Sequence, residues 1–139
     1  MMPPGSLLDG KCMAQLSLAL GSWGKAHGFQ IFSSSICVRL SNGDLRMPDF
    51  AMMGREAYER LDPDGEDDRL TGGTFDVIVE VAGSVDRVSE LERKCEEAWF
   101  ADGHKYVLML DPIRKGVRAW GEPPADFPSS EEILAEIQR

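Results

Sequence analysis

Phe75-Asp76-Val77-Ile78-Val79-Glu80-Val81 is apolar on both of its alternating faces apart from its acids. A strand with water on one side alternates apolar and polar residues. One without a polar face is covered on both sides. The stretch therefore reads as a central strand, with packing above and below it. Glu80 lies inside it, where an unpaired carboxylate is expensive. It must be protonated, paired with a cation or bound to a metal, unless it forms an ordinary salt bridge or marks an exposed strand end.

Upstream, Met13, Leu16, Leu20 and Trp23 recur at helical spacing, and Gly28 after His27 is a stop. Phe29 to Phe32 and Ser35 to Leu40 read as strands. Ser41-Asn42-Gly43-Asp44 then carries the Asn-Gly hairpin signal. The returning strand, Leu45 to about Met53, contains Pro48. Proline lacks an N–H for the ladder, so this strand is an edge or frays there. Arg55 to Leu61 reads as a short helix and 62–74 as a loop rich in Pro, Gly and acid.

Downstream, Val88 to about Asp102 is an amphipathic helix with Ser84 or Asp86 available as cap. Tyr106 to Leu110 and Val117 to Trp120 are strands. The proline-rich stretch Gly121 to Pro128 leads to a terminal helix, Ser129 to Arg139. The expected architecture is an α/β (α+β-like) mixed sheet flanked by helices, with one domain over 1–120 and a linker plus helix over 121–139.

Composition sets the outer bounds. A chain of 139 residues, 42% hydrophobic and 28% charged, buries about 70% of its unfolded surface as one domain. No apolar run approaches the roughly 18 residues of a membrane span. The apolar stretch Cys12 to Leu20 is broken by Gln15 and Ser17 and reads as a helix rather than a secretory signal. Cys12, Cys37 and Cys95 are odd in number and form no CxxC pair, which fits a reducing cytoplasm and small buried side chains.

The net charge of −9 argues against general nucleic-acid coating. Two acidic stretches carry most of the excess: Asp62, Asp64, Glu66, Asp67 and Asp68, and then Glu122, Asp126, Glu131, Glu132 and Glu136. The remainder is close to neutral and can hold a local phosphate-binding surface. The first stretch lacks the Gly and Glu of a calcium loop at the required positions. Gly24-Lys25-Ala26 lacks the other residues of a phosphate-binding loop, and His27 and His104 have no metal-ligand spacing.

Three more residues attach to Glu80. Asp49, after Pro48, is by itself an ordinary turn or edge residue. Its interest comes from a second acid on a neighbouring strand, since adjacent carboxylates repel unless a cation lies between them. Hard Mg²⁺ favours one or two carboxylates plus waters. Glu90 and Lys94 have the spacing of an exposed helical ion pair. The alternative is a stripe of Arg87, Glu90 and Lys94 facing the end of the Glu80 strand, with Lys94 holding a water or phosphate oxygen.

Taken together, these segments resemble the Uma-two-like family of restriction endonucleases, a branch of the PD-(D/E)XK nuclease superfamily. The resemblance rests on Ser34-Ser35 through Arg39-Leu40, Asn42-Gly43, Arg46-Met47-Pro48-Asp49, and Asp76 through Val81. It continues with Ser84, Asp86-Arg87, Glu90-Leu91, Lys94, Gly103, Tyr106 and Leu110-Asp111-Pro112. It implies a restriction-endonuclease-like core with Pro48-Asp49 as the "PD" element and Glu80 as the second acid. The lysine is moved from the Ala82 position to Lys94, and Glu90 stands where relatives often have an acid. Asp49, Glu80 and the Val81 carbonyl would hold Mg²⁺ or Mn²⁺, and the substrate would be DNA.

Three departures accompany the resemblance. The first helix offers only Gln15 where many superfamily members have another acid, which argues against a second metal. Between Lys94 and Gly103 the chain is one residue longer than the family spacing, with Trp99 one position later than the usual tyrosine, a shift expected to rotate the helix around Lys94. The segment after Trp120 is short. These departures, with the acidic balance, keep open a second reading: a nuclease-fold binding or regulatory module. A homodimer is expected from the two cuts that duplex cleavage needs and from the terminal helix with Ile133, Leu134 and Ile137.

Overall fold

The computed structural model describes residues 6–61, 70–71, 73–83 and 86–139. Helix α1 (Leu7–Ala26) is followed by strand β1 (Phe29–Ser33), two-residue strands β2 (Val38–Arg39) and β3 (Leu45–Arg46), and β4 (Phe50–Gly54). Then come helix α2 (Arg55–Arg60), the short β5 (Leu70–Thr71) and β6 (Val77–Val81). Helix α3 (Val88–Arg93) continues through a π-helical turn, Lys94–Trp99, and a 3₁₀ turn, Phe100–Asp102. Strands β7 (Tyr106–Asp111) and β8 (Gly116–Gly121) and helix α4 (Ser130–Ile137) complete the chain.

The expected mixed sheet flanked by helices is present. Five strands lie in the order β1-β4-β6-β7-β8, antiparallel except for the parallel pair β6 and β7. Strand β6 is central, and Val77, Ile78 and Val79 are fully buried. Side chains alternate across a strand, and the core divides accordingly. Phe50, Met52, Val77, Val79, Leu108 and Leu110 pack with Leu16 and Leu20 of α1 and with Ile133 and Ile137 of α4. Ala51, Met53, Ile78, Val107 and Met109 pack on the opposite face with Cys95 and Trp99 of the helix that begins as α3.

Several elements differ from their sequence expectation. The strand read from Leu45 to Met53 is two strands in two sheets. β3 pairs with β2 through the Asn42-Gly43 turn in a small sheet ordered β3-β2-β5, and β4 belongs to the large sheet. Met47-Pro48-Asp49 is the break, where proline has no N–H to continue the first ladder. Asp86 does not cap α3, whose N-cap residue is Arg87 without a side-chain cap; the Asp86 carboxylate accepts the Gly83 N–H at 2.6 Å instead. Ser84 and the acidic stretch from Asp62 to Asp68 lie outside the described residues. Ile133 and Ile137, part of the motive for a dimer, are 1% exposed within the chain's own core.

His104 fixes the entry to β6. It is 1% exposed, and its Nδ1 accepts the Phe75 N–H at 2.9 Å. That acceptor role requires the neutral ring with its proton on Nε2. Burial pushes the pKa of His104 below its usual 6.5. The unfolded chain therefore takes up this proton first as pH falls. The contribution is complete above about pH 6.5 and is lost below it. Replacing His104 with Phe removes both the acceptor and the titration. In thermal melts the stability advantage of wild type over His104→Phe is expected to shrink as pH falls from 7 to 5.

Candidate active site

The period of two that divides the core also aligns the acids. Asp49 precedes Ala51 and Met53 at strand spacing, and Glu80 follows Ile78, so both acids project to the α3 face of the sheet. Phe50 pairs with Val79, which places Asp49 and Glu80 at the next positions along the same two strands. The break at Pro48 frees Asp49 from the ladder just where β6 ends.

Each carboxylate is held by backbone beside the other. Glu80 Oε1 accepts the Asp49 N–H at 3.2 Å, and Asp49 Oδ2 accepts the Val81 N–H at 2.7 Å. Asp49 is 4% exposed and Glu80 3%. Burial, followed by the neighbouring Glu80 charge, pushes the Asp49 pKa up to about 7 against the Val81 hydrogen bond. Burial also raises the pKa of Glu80, opposed chiefly by the charge of Lys94. Asp76, the other acid of this stretch, is occupied elsewhere, accepting the Gly54 N–H at 2.7 Å and lying 3.3 Å from Lys105.

Lys94 closes the group, with Nζ 2.9 Å from Glu80 Oε2. This partner replaces the simple Glu90–Lys94 helical pair as the lysine's contact. Glu90 instead lies 3.6 Å from Arg87, with both side chains largely exposed. The structure thus brings Asp49, Glu80 and Lys94 together through hydrogen bonds and leaves Glu90 one helical turn away. The π-helical turn begins at Lys94 and takes up one residue more than an α-turn. With this turn Cys95 and Trp99 are buried and Lys94 reaches Glu80. Burial pushes the Cys95 thiol up to about 12, which leaves it an inert core group.

From sequence, Asp86 carries only a capping role. The structure puts its charge close enough to raise the pKa of both Asp49 and Glu80. Arg114 anchors this loop: it donates to the Asp86 carbonyl at 3.2 Å and to buried Asp111 at 3.1 Å. In sequence Asp111-Pro112 marks only a strand end; the acid with a basic residue three positions on is the available signal. The acid that α1 does bring, Asp9, forms a capping box with Ser6.

The carboxylate pair fits a hard divalent cation. Of the two buried acids only Glu80 contacts a lysine, and their raised pKa values reflect burial first, with the Glu80 charge adding to the rise at Asp49. The donors are oxygens, as Mg²⁺ prefers, whereas zinc sites favour nitrogen and sulfur. Among the described residues no group of three or more His, Cys, Asp or Glu side chains could hold a metal, so such an ion would complete its shell with backbone oxygen and water.

The raised Asp49 pKa has a consequence for the metal-free protein. A free aspartate ionises near 3.9, so the folded form retains its proton longer and stability declines as pH rises from about 4 to about 7. Asn at position 49 keeps an acceptor for Val81 and removes the charge. Asp49→Asn is expected to melt above wild type at pH 8 without metal, with the gap closing toward pH 4. Added Mg²⁺ or Mn²⁺ should raise the wild-type Tm and leave that of the variant unmoved.

Comparison with known proteins agrees with the fold. A crystal structure of an Anabaena variabilis protein, described as "a putative nuclease belonging to DUF820", matches with a TM-score of 0.56 at 13% identity, covering 99% of this chain and 83% of that one. A DrdV–DNA complex matches at a TM-score of 0.42 and 12% identity, over 75% of this chain and 10% of that one. No curated protein matches the sequence. The family model Uma2, described as "Putative restriction endonuclease", matches residues 1–136, and the chain belongs to that family.

Proposed function

We propose that this protein is a metal-dependent endonuclease that hydrolyses DNA phosphodiester bonds. The observation that carries the proposal is the buried Asp49–Glu80 pair with Lys94 hydrogen-bonded to it on one face of the sheet. Asp49, Glu80 and the Val81 carbonyl are assigned to hold Mg²⁺, with Mn²⁺ as a substitute. When bound, such an ion lowers the pKa of a coordinated water and offsets charge on the phosphate.

The chain's own residues do the rest. The two backbone N–H groups fix both carboxylates before substrate arrives, so no reorganisation is needed at the reacting centre. Lys94 Nζ, partly exposed beside Glu80, donates to the attacking water or to a non-bridging phosphate oxygen as negative charge develops. The water oxygen bonds to phosphorus as the bond to the leaving oxygen breaks. The water proton passes to solvent, and the leaving oxygen takes one from solvent. Glu90, a turn before Lys94, is assigned a supporting role at the entry to the site. All three central residues come from one chain, so one copy completes one site. A homodimer would serve the second cut of a duplex. Three free cysteines are consistent with a cytoplasmic protein, and among the described residues no helix is long and apolar enough to cross a membrane.

The net charge of −9 favours a second reading, a nuclease-fold binding module without turnover. Cleavage of plasmid and single-stranded DNA with Mg²⁺ or Mn²⁺ separates the two. The expected result is metal-dependent cutting abolished in Asp49→Ala and Glu80→Ala. Lys94→Ala should be slower by about 10²–10³-fold, the cost of removing a positioned donor, and Glu90→Gln should be affected less. Metal binding without cleavage of any substrate would favour the binding module.

A further inference from the structure

A cleft of about 370 Å³ opens beside Lys94, between the β2–β3 turn and the helix beginning with α3. It is lined by Leu40 and Ala98 and by Arg46, Arg93 and Lys94 together with Asp44, Glu90 and Glu97. Lys94 lines this cleft and also touches Glu80, so the cleft and the carboxylate pair share a wall. The chemistry at the carboxylates makes no use of the side opposite Lys94.

Size and charge both limit what fits. The volume lies at the low end of the range for small-ligand sites, about 300–1,000 Å³, whereas a duplex is gripped over a far larger and strongly positive surface. Three bases and three acids leave this lining neutral, unlike a track for successive phosphates. A nucleotide has the complementary mixture. Its phosphate suits Arg46 and Arg93, of which Arg46 is only loosely engaged with Asp44 at 3.8 Å. The amino groups on the pairing edge of an unstacked base suit a carboxylate acceptor such as Glu97, while the Asn42 amide of the same lining is engaged with Asp44 at 2.9 and 3.3 Å.

We propose that the cleft seats one unpaired nucleotide next to the scissile phosphate, so that the substrate is single-stranded DNA or DNA opened at the cut. The inference rests on the nuclease reading. Arg46 and Arg93 hold the adjoining phosphate, and Glu97 contacts the base edge. Reading only one base, the cleft gives at most a short sequence preference.

Fluorescence anisotropy with a labelled 15-nucleotide single strand and the matching blunt duplex tests this, with Ca²⁺ as the cation. Both arginines are exposed, and melts of Arg46→Ala and Arg93→Ala verify folding. Wild type is expected to bind the single strand at least tenfold more tightly than the duplex. Each arginine variant should weaken that binding about 5–10-fold and lower the log–log salt slope by about 0.7, the share of one single-strand phosphate contact. Unchanged affinity in both variants, or equal affinity for duplex and single strand, overturns the cleft assignment, while metal-dependent cleavage by the same wild-type protein would leave the nuclease reading standing. Absence of both binding and cleavage overturns both.

Discussion

An aspartate and a glutamate are buried side by side, each accepting a backbone N–H from the other's segment, with one lysine on the outside. The arrangement opposes the usual preference of carboxylates for water, and most of the surrounding fold supplies what it requires. β6 must be central, so that Glu80 is buried. The chain must leave one sheet and enter another at Pro48, so that Asp49 faces the end of β6 instead of continuing a ladder. The helix beginning with α3 must lie over that face, with Cys95 and Trp99 anchored beneath it. The π-helical turn allows it to carry one residue more without moving Lys94 away from Glu80.

The legible part of this arrangement follows from local rules. A strand apolar on both faces with a carboxylate inside it indicates both the centre of the sheet and the residue under electrostatic stress. Pro48 indicates a ladder that has to stop. What stays hidden depends on long-range partners. The division of the Leu45–Met53 stretch between two sheets follows from the parallel pairing of β2 with β5, some thirty residues away, and two-residue strands leave no periodicity to read. The proximity of Asp86 to the pair depends on Arg114 anchoring its loop from beyond β7. An amphipathic terminal helix looks the same in sequence whether it covers its own core or a second copy. Only the contacts of Ile133 and Ile137 with the core that includes α1 decide between them.

The same electrostatics constrain how an acidic chain could act on a polyanion. At physiological salt, charges farther apart than about 8 Å are largely screened, so the acidic carboxy-terminal stretch weakens approach without dictating contact at the site. At the site itself, two carboxylates stand beside one lysine, so once both are ionised the centre is net negative and repels phosphate while attracting a divalent cation. On the proposed function, substrate affinity and catalysis are coupled to the same ion: without it, burial holds the Asp49 proton up to about pH 7, and a phosphate would meet Lys94 and the arginines of the cleft without a metal beside them. A net charge of −9 opposes affinity for nucleic acid in general. On the proposed reading, its discrimination would come from short-range contacts formed when the cation and one correctly seated nucleotide are present together.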